Sequence, residues 1–343
     1  MFTAVQRTPC DVEQQDDPKV PKVSIRLSYQ SRWVSTSSRR PNNTSVPDSV
    51  QNPPQATRVV QYVPIPGKWA RKLHPHWAES AFELPTVIPE GHIYYITKGF
   101  YVRQGATALV ERLPSGDIVK TPLPNPYDPK EELTNIEKME HEYEVYRFIG
   151  ANPFIPKLIH WDSQSKTLVL ENHSNGDLET YLRHHDHVDI NTRRKWALQA
   201  AQALESLHTR GVIHQDVTPR NFLLDKNLDL RICDFAGSSF PGHLSLTGAP
   251  GPRYQSQLWT RDYIPTQADD IFGLGSVLYF IMCNEEPYSN LDEDEIESRF
   301  RNRNFPVSDH LDCGAVIQSC WEGRFTTAGV VRALVHSREI NHT

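Results

Sequence analysis

Apolar and polar positions change rhythm several times along this 343-residue chain. From Gly91 onward the pattern is strand-like: Ile93-Tyr94-Tyr95-Ile96, then Ala108 to Leu113, a Pro114-Ser115-Gly116-Asp117 turn, and Ile118-Val119-Lys120. Together these predict a small antiparallel sheet. Between Glu131 and Ile149 the period lengthens, with Ile136, Met139, Tyr143, Tyr146 and Ile149 spaced by three or four until Gly150 and Pro153. That spacing predicts an amphipathic helix with a stop signal behind it. Leu168-Val169-Leu170-Glu171 reads as another buried strand, and beyond Asn175-Gly176-Asp177 the chain becomes helical. Thr192 to Thr209 places Trp196, Ala200, Leu204 and Leu207 on one face, with Gly211 where a helix-ending glycine belongs. Asn221 to Asp225 and Leu228 to Cys233 form a tight hairpin of two short strands. A mostly β lobe therefore precedes a mostly α lobe, an α+β arrangement.

Residues 1 to about 85 differ: rich in Pro, Gln, Ser, Thr and Asn, they show no sustained apolar period. The expectation is a low-complexity, largely disordered tail over 1–88, in which Trp33, Trp69 and Trp77 are tolerated aromatics. The rest of the chain is apolar enough for a buried core, 38% hydrophobic overall. A net charge of −6 supplies no basic footprint for nucleic acid or anionic lipid. The apolar run Ile271 to Cys283 falls short of the ~20 residues a membrane helix needs, so it is expected as a core helix and no membrane insertion is expected. Five cysteines without a C-x-x-C pair, and no apolar signal region after Met1, point to a reducing intracellular setting, cytoplasmic with the nucleus left open.

The chemistry-bearing residues are His214-Gln215-Asp216-Val217-Thr218-Pro219-Arg220-Asn221, followed by Asp234-Phe235-Ala236-Gly237. Their two leading aspartates stand 18 residues apart. This resembles the H-R-D-L-x-x-x-N catalytic loop and D-F-G segment of protein kinases. The resemblance spans roughly residues 91 to 336 and implies a bilobal protein-kinase-like domain over 89–337. Its small lobe would be 89–171, its large lobe 174–337, and 338–343 a short tail.

By that resemblance Asp216 is the general base, Asn221 and Asp234 are the Mg²⁺ ligands, and His214 supports the loop. Lys120 is similar to the V-A-I-K lysine that meets the α and β phosphates, with Glu142 as its ion-pair partner rather than the solvated Glu140 or Glu144. The glycine-rich loop falls on Arg103 to Val110, where only Gly105 of the three glycines remains and a bulky Arg103 takes the first position. Leu170 would be the gatekeeper, and the main chain of Glu171 and His173 would meet adenine. Asp177 would meet the ribose, Leu223 would form the adenine floor and Cys233 the back wall. Asp270, more than Asp269, would tie down the catalytic-loop backbone, and Cys320-Trp321-Glu322-Gly323-Arg324 resembles the late helical subdomain.

Some positions depart from the family pattern. Thr218 replaces the lysine that neutralises the γ-phosphate, and Arg220 occupies the place of the arginine in tyrosine-kinase-like loops, where it is expected to compensate. Gln215 replaces the arginine that pairs with a phosphorylated activation loop, so control by loop phosphorylation is not expected. Ala236 replaces the D-F-G glycine and should stiffen the segment. Leu258 stands in for the A-P-E glutamate that pairs with Arg324, with Asp262 as a substitute partner. The resemblance implies ATP- and Mg²⁺-dependent transfer to a protein hydroxyl, with serine or threonine the expected acceptor and no nucleic-acid partner. A nucleotide-binding pseudokinase scaffold is the alternative, and a small-molecule phosphotransferase with an H-x-D-x-x-x-x-N loop a third.

Overall fold

The computed structural model describes residues 60–245, 249–260 and 262–340, with side chains through 337. Residues 1–59, including Trp33, lie outside the described residues. The described residues divide into two compact units, one ending at Thr97 and one beginning at Lys98.

In the first unit, strand β1 (Gln61–Ile65) is followed by helix α1 (Lys68–Leu73), a 3-10 turn over Glu79–Phe82 and strand β2 (His92–Ile96). β1 and β2 pair in parallel, Tyr62 opposite Ile93 and Ile65 opposite Ile96. Tyr62, Ile65, Ala70 and Ile93 are buried. The Trp69 indole donates to the Thr97 carbonyl at 3.0 Å and to its hydroxyl at 3.1 Å. Gly67 is required beside them, since a Cβ there would come 2.1 Å from the Thr97 carbonyl oxygen. Trp77 stacks on His74 with ring centroids 4.1 Å apart.

These elements correct two expectations. The low-complexity reading of 1–88 does not hold for Gln61 onward, where Trp69 and Trp77 are anchored. Ile93 to Ile96 belongs to this parallel pair and not to the antiparallel sheet, so the sheet unit starts at Lys98 rather than 89.

The second unit opens with a five-stranded antiparallel sheet built from β3 (Phe100–Gln104), β4 (Ala108–Arg112), β5 (Ile118–Pro122), β6 (Leu158–Asp162) and β7 (Thr167–Leu170). The spatial order is β3-β4-β5-β7-β6. Helix α2 (Pro129–Ile149) lies against β5 and β7. It starts sharply because the Asp128 carboxylate accepts the amides of Lys130 and Glu131 and Pro129 needs no donor. Gly150, at φ 67°, ends it. Its buried face carries Met139, Val145, Tyr146 and Ile149, and among them the carboxylate Glu142. Tyr143 is only half-buried and stacks on Trp161 at 4.5 Å.

The remainder is helical apart from one hairpin. α3 (Leu178–His184) and α4 (Ile190–His208) precede the paired strands β8 (Phe222–Leu224) and β9 (Leu230–Ile232). Then come α5 (Gln267–Cys283), α6 (Glu293–Arg301), α7 (Gly314–Trp321) and α8 (Thr327–Ile340), the last running past the expected boundary at 337. α4 packs on α8 and α5, and α5 on α7, around Trp196, Leu204, Leu207, Leu274, Val277 and Ile317. α5 is the expected core helix, buried almost throughout. No helix among the described residues is long and apolar enough to cross a membrane. A β lobe preceding an α lobe is the bilobal arrangement of a protein kinase domain.

Candidate active site

The edge of β5, the inner face of α2 and the turn after β9 bring three charged groups together. Lys120 Nζ lies 2.6 Å from Glu142 Oε2 and 3.1 Å from Asp234 Oδ1. The two alternative glutamates point elsewhere, Glu140 to Lys166 at 2.6 Å and Glu144 to Arg147 at 3.1 Å. Burial alone would lower the Lys120 ammonium, but the Asp234 and Glu142 carboxylates override it and push its pKa up. Asp234 is held down to about 2, first by Lys120 and against burial, with Arg103 adding to the effect. The hairpin aims it: Cys233 N donates to Asn221 O at 2.9 Å, and the next residue turns into the left-handed region at φ 71°. A non-glycine residue there is strained, and such strain gathers at functional sites. Ala236 is not among the positive-φ residues, so its Cβ costs that turn nothing.

The catalytic-loop region is fixed from beneath by Asp270, at the start of α5. Its carboxylate accepts His214 N at 2.7 Å and Gln215 N at 2.8 Å, and also contacts His208 Nε2 at 2.9 Å. Asp269 instead completes a capping box with Thr266. His214 Nε2 meets the Cys233 carbonyl at 3.0 Å, so it must donate, and Nδ1 accepts the Asp216 amide at 3.2 Å. This neutral tautomer ties the loop to the segment carrying Asp234. Phe235, fully buried, seals the junction edge-on against His214 at 5.4 Å and Tyr146 at 5.1 Å.

Within the loop, Asn221 Nδ2 donates to Asp216 O at 2.9 Å and to Asp216 Oδ2 at 2.8 Å. The other carboxylate oxygen, Oδ1, is buried without a hydrogen-bond partner and stands 3.6 Å from the Arg220 guanidinium. Burial raises the Asp216 pKa, and Arg220 pulls it back down. An acceptor oxygen in this state can receive a proton without first breaking a hydrogen bond.

Beside these groups runs a cleft. Val110, Leu170, Glu171, His173, Asp177, Leu223 and Cys233 all line it, together with Lys120, Glu142 and Asp234. Gly105 does not line it: it closes the β3–β4 turn, where its N donates to Ala108 O at 2.8 Å and an added Cβ would meet only ordinary contact. Val102 and Arg103 line the cleft instead. Asp177 faces the cleft but spends its carboxylate as the cap of α3, accepting Thr180 N at 2.8 Å and Thr180 Oγ1 at 3.0 Å. The His173 imidazole is buried with neither ring nitrogen hydrogen-bonded, and burial lowers its pKa. Burial also pushes the Cys233 thiol up to about 12, so it stays protonated as an apolar wall.

Farther along, Leu258 is 54% exposed and Arg324 pairs with Glu322 at 2.8 Å, not with Asp262. Gln215 Nε2 donates to Ser239 Oγ, which also accepts Ser245 N at 3.0 Å. Arg103 in the cleft and His208 under the loop were invisible to spacing arguments. Only the motif mismatch at Arg103 drew attention to that position.

A family model described as "protein kinase domain" matches residues 125–320, from just before α2 to the end of α7. The chain is 34% identical over 136 residues to a serine/threonine-protein kinase PDK1 of Cryptococcus neoformans, a match covering 37% of this chain and 11% of that protein. It is 29% identical over 253 residues to serine/threonine-protein kinase SIK1 of Rattus norvegicus, covering 68% of this chain and 32% of the relative. With the Aurora/IPL1-related protein kinase 2 of Caenorhabditis elegans it shares 26% over 189 residues, 52% of this chain and 59% of the relative. The chain thus spans well under two thirds of the length of each of these relatives. Since the matched region runs over α2, the catalytic loop and the Asp270 helix, the chain belongs to the protein kinase domain family.

Proposed function

We propose that the chain is an ATP- and Mg²⁺-dependent protein kinase that transfers the γ-phosphoryl group to a serine or threonine hydroxyl of a protein substrate. The observation that carries the reading is the convergence of Lys120, Glu142 and Asp234 within 3.1 Å, beside a loop whose Asp216 keeps one carboxylate oxygen free of hydrogen bonds. Phosphoryl transfer asks for positioned charge more than for covalent chemistry. Lys120, oriented by Glu142, holds the α and β phosphates, and the cleft walls at Val110, Leu170, Leu223 and Cys233 take the adenine. The main chain of Glu171 and His173 meets its edge. Asp216 Oδ1 receives the proton of the incoming hydroxyl, with Asn221 fixing the carboxylate and Arg220 supplying the cation missing at Thr218.

The residues fit a magnesium ion. Asp234 is ionised down to about pH 2, and Asn221 uses its amide nitrogen on Asp216, leaving its carbonyl oxygen as a ligand. A magnesium ion held by these two groups would share its remaining coordination with phosphates and water. Bound there, the ion would neutralise the charge gathering on the phosphate oxygens. The free thiols of Cys233, Cys283, Cys313 and Cys320 suit a reducing intracellular compartment.

A second reading, a nucleotide-binding pseudokinase, is favoured by the exposed Leu258 and the commitment of Arg324 to Glu322, which leave the peptide shelf without its family ion pair. One experiment separates the two. Radiolabelled ATP turnover on a serine/threonine peptide library is expected for the wild type and lost in Asp216→Asn and Asp234→Ala. Stabilisation by Mg-ATP without turnover would establish the pseudokinase, and neither effect would overturn both. Nucleotide at a hundred times Kd stabilises by about 2.7 kcal/mol if it binds only the folded form.

A further inference from the structure

The cleft holds more negative than positive charge. Its lining carries four carboxylates, Glu142, Glu171, Asp177 and Asp234, against two cations, Lys120 and Arg103. Lys120 is already shared between two of those carboxylates, whereas Arg103 makes no ion pair among the described residues. Beyond Lys120, Arg103 is the cation that the cleft lining offers to a polyphosphate.

The sheet register explains how it arrives there. Tyr101 pairs with Glu111 and Arg103 with Val110, so Val102 is an extra residue in β3, a β-bulge. In a regular ladder Arg103 would stand opposite Leu109, on the face away from Val110. The bulge shifts it by one position, and both Val102 and Arg103 then line the cleft. Val110 in turn pairs with Lys120. Arg103, Val110 and Lys120 therefore form one cross-strand row on one face of the sheet. Paired Cβ atoms lie about 5 Å apart, which spaces the Cβ atoms of Arg103 and Lys120 roughly 10 Å from each other across Val110. Val110 is the residue assigned to adenine, so the row sets one cation on each side of the nucleotide's path.

We infer that Arg103 is a phosphate-binding residue of this cleft, its guanidinium taking the place of contacts that glycine-loop amides make elsewhere in the family. A planar fork of donors suits phosphate oxygens. The inference rests on the nucleotide reading above and deepens it.

The test is calorimetric titration of the full chain with ATP, ADP and adenosine, each with magnesium, for the wild type, Arg103→Ala, Arg103→Gly and Arg103→Lys. Arg103→Ala and Arg103→Gly are expected to weaken ATP and ADP at least tenfold and leave adenosine within twofold, with Arg103→Lys intermediate. Restoring the family glycine would thus harm binding. Equal shifts for ATP and adenosine, or no shift for either, would overturn the assignment while leaving the cleft a nucleotide site. Failure of the wild type to bind any of the three would remove the nucleotide reading and this inference with it.

Discussion

Lys120 and Glu142 meet at 2.6 Å across 22 residues of chain, the first side chain 11% exposed and the second 1%. Each is tolerable there only because of the other, since burying a lone charge is costly. Asp234 shares the ammonium at 3.1 Å, so one cation answers two carboxylates.

Lys120→Met should therefore destabilise the fold as well as abolish nucleotide positioning. Breaking a buried pair from one side costs about 3–5 kcal/mol, because the remaining charge is left uncompensated. Lys120→Met/Glu142→Leu should cost less than the sum of the two single changes. Urea melts of the three variants check this, and strictly additive losses would show that the pair is not coupled.

Much of this site was legible in the sequence, and the exceptions have physical reasons. Asp216, Asn221, Asp234 and Asp270 sit at spacings fixed by one loop, one hairpin and one helix start, so counting along the chain places them. Glu142 came with the resemblance to the family's lysine–glutamate pair, and it lies on the buried face of its helix with Met139, Val145 and Tyr146. Arg103 was hidden by the bulge at Val102, since alternation along a strand assumes an unbroken period of two. The pairing of Gln61–Ile65 with His92–Ile96 was hidden because it is parallel and far apart in sequence, which local hairpin logic cannot reach. Asp177 was ambiguous by its chemistry: a carboxylate fit to meet a ribose is equally fit to cap α3, and the structure uses it as the cap.

The two aspartates should respond to acid in opposite senses. Asp234 is lowered from 3.8 to about 2, so the unfolded chain takes up its proton first as pH falls. Its contribution to stability is complete above about pH 5, where an ordinary aspartate is ionised, and is lost as pH falls through about 2. Asp234→Asn should flatten that part of the stability profile. An unchanged acid limb would show that Asp234 is not held ionised.

Asp216 is shifted the other way, raised by burial, so the folded chain takes up this proton above the ordinary aspartate range. Its burial opposes stability at neutral pH and is relieved on acidification. For a general base, the acid limb of kcat/KM should then lie above the ordinary aspartate range. Arg220 is the group that moderates the shift from 3.6 Å. Arg220→Ala should lower turnover tenfold or more and move the acid limb to higher pH. A fall in rate with an unmoved limb would assign Arg220 to substrate rather than to Asp216.

Asp270 is the support on which the loop geometry hangs. Three partners converge on its buried carboxylate: the amides of His214 and Gln215, and His208 Nε2. Asp270→Ala leaves those groups unsatisfied at about 1–3 kcal/mol each, a loss of ~3 kcal/mol or more. Because the loop is freed before the fold fails, turnover at low temperature should collapse while nucleotide affinity changes little. Equal losses in both would show that the support is global rather than local.

Gln215 is fully buried in the left-handed region at φ 69°, and its amide donates to Ser239 Oγ. Ser239 in turn accepts Ser245 N at 3.0 Å, and the neighbouring Ser238 Oγ donates to His214 O at 3.1 Å. A neutral clasp thus joins the catalytic loop to the segment after Asp234, at the place where an arginine would otherwise wait for a phosphate. No charge has to be added for this clasp to close, so phosphatase treatment should leave kcat/KM unchanged. Ser239→Ala should cost about 1–3 kcal/mol, the penalty for a buried amide left without its acceptor. It should also speed hydrogen exchange at Ser245, whose amide loses the same partner. A rate that fell on phosphatase treatment, with Ser239→Ala silent in both readouts, would show that a phosphate and not this clasp orders the segment.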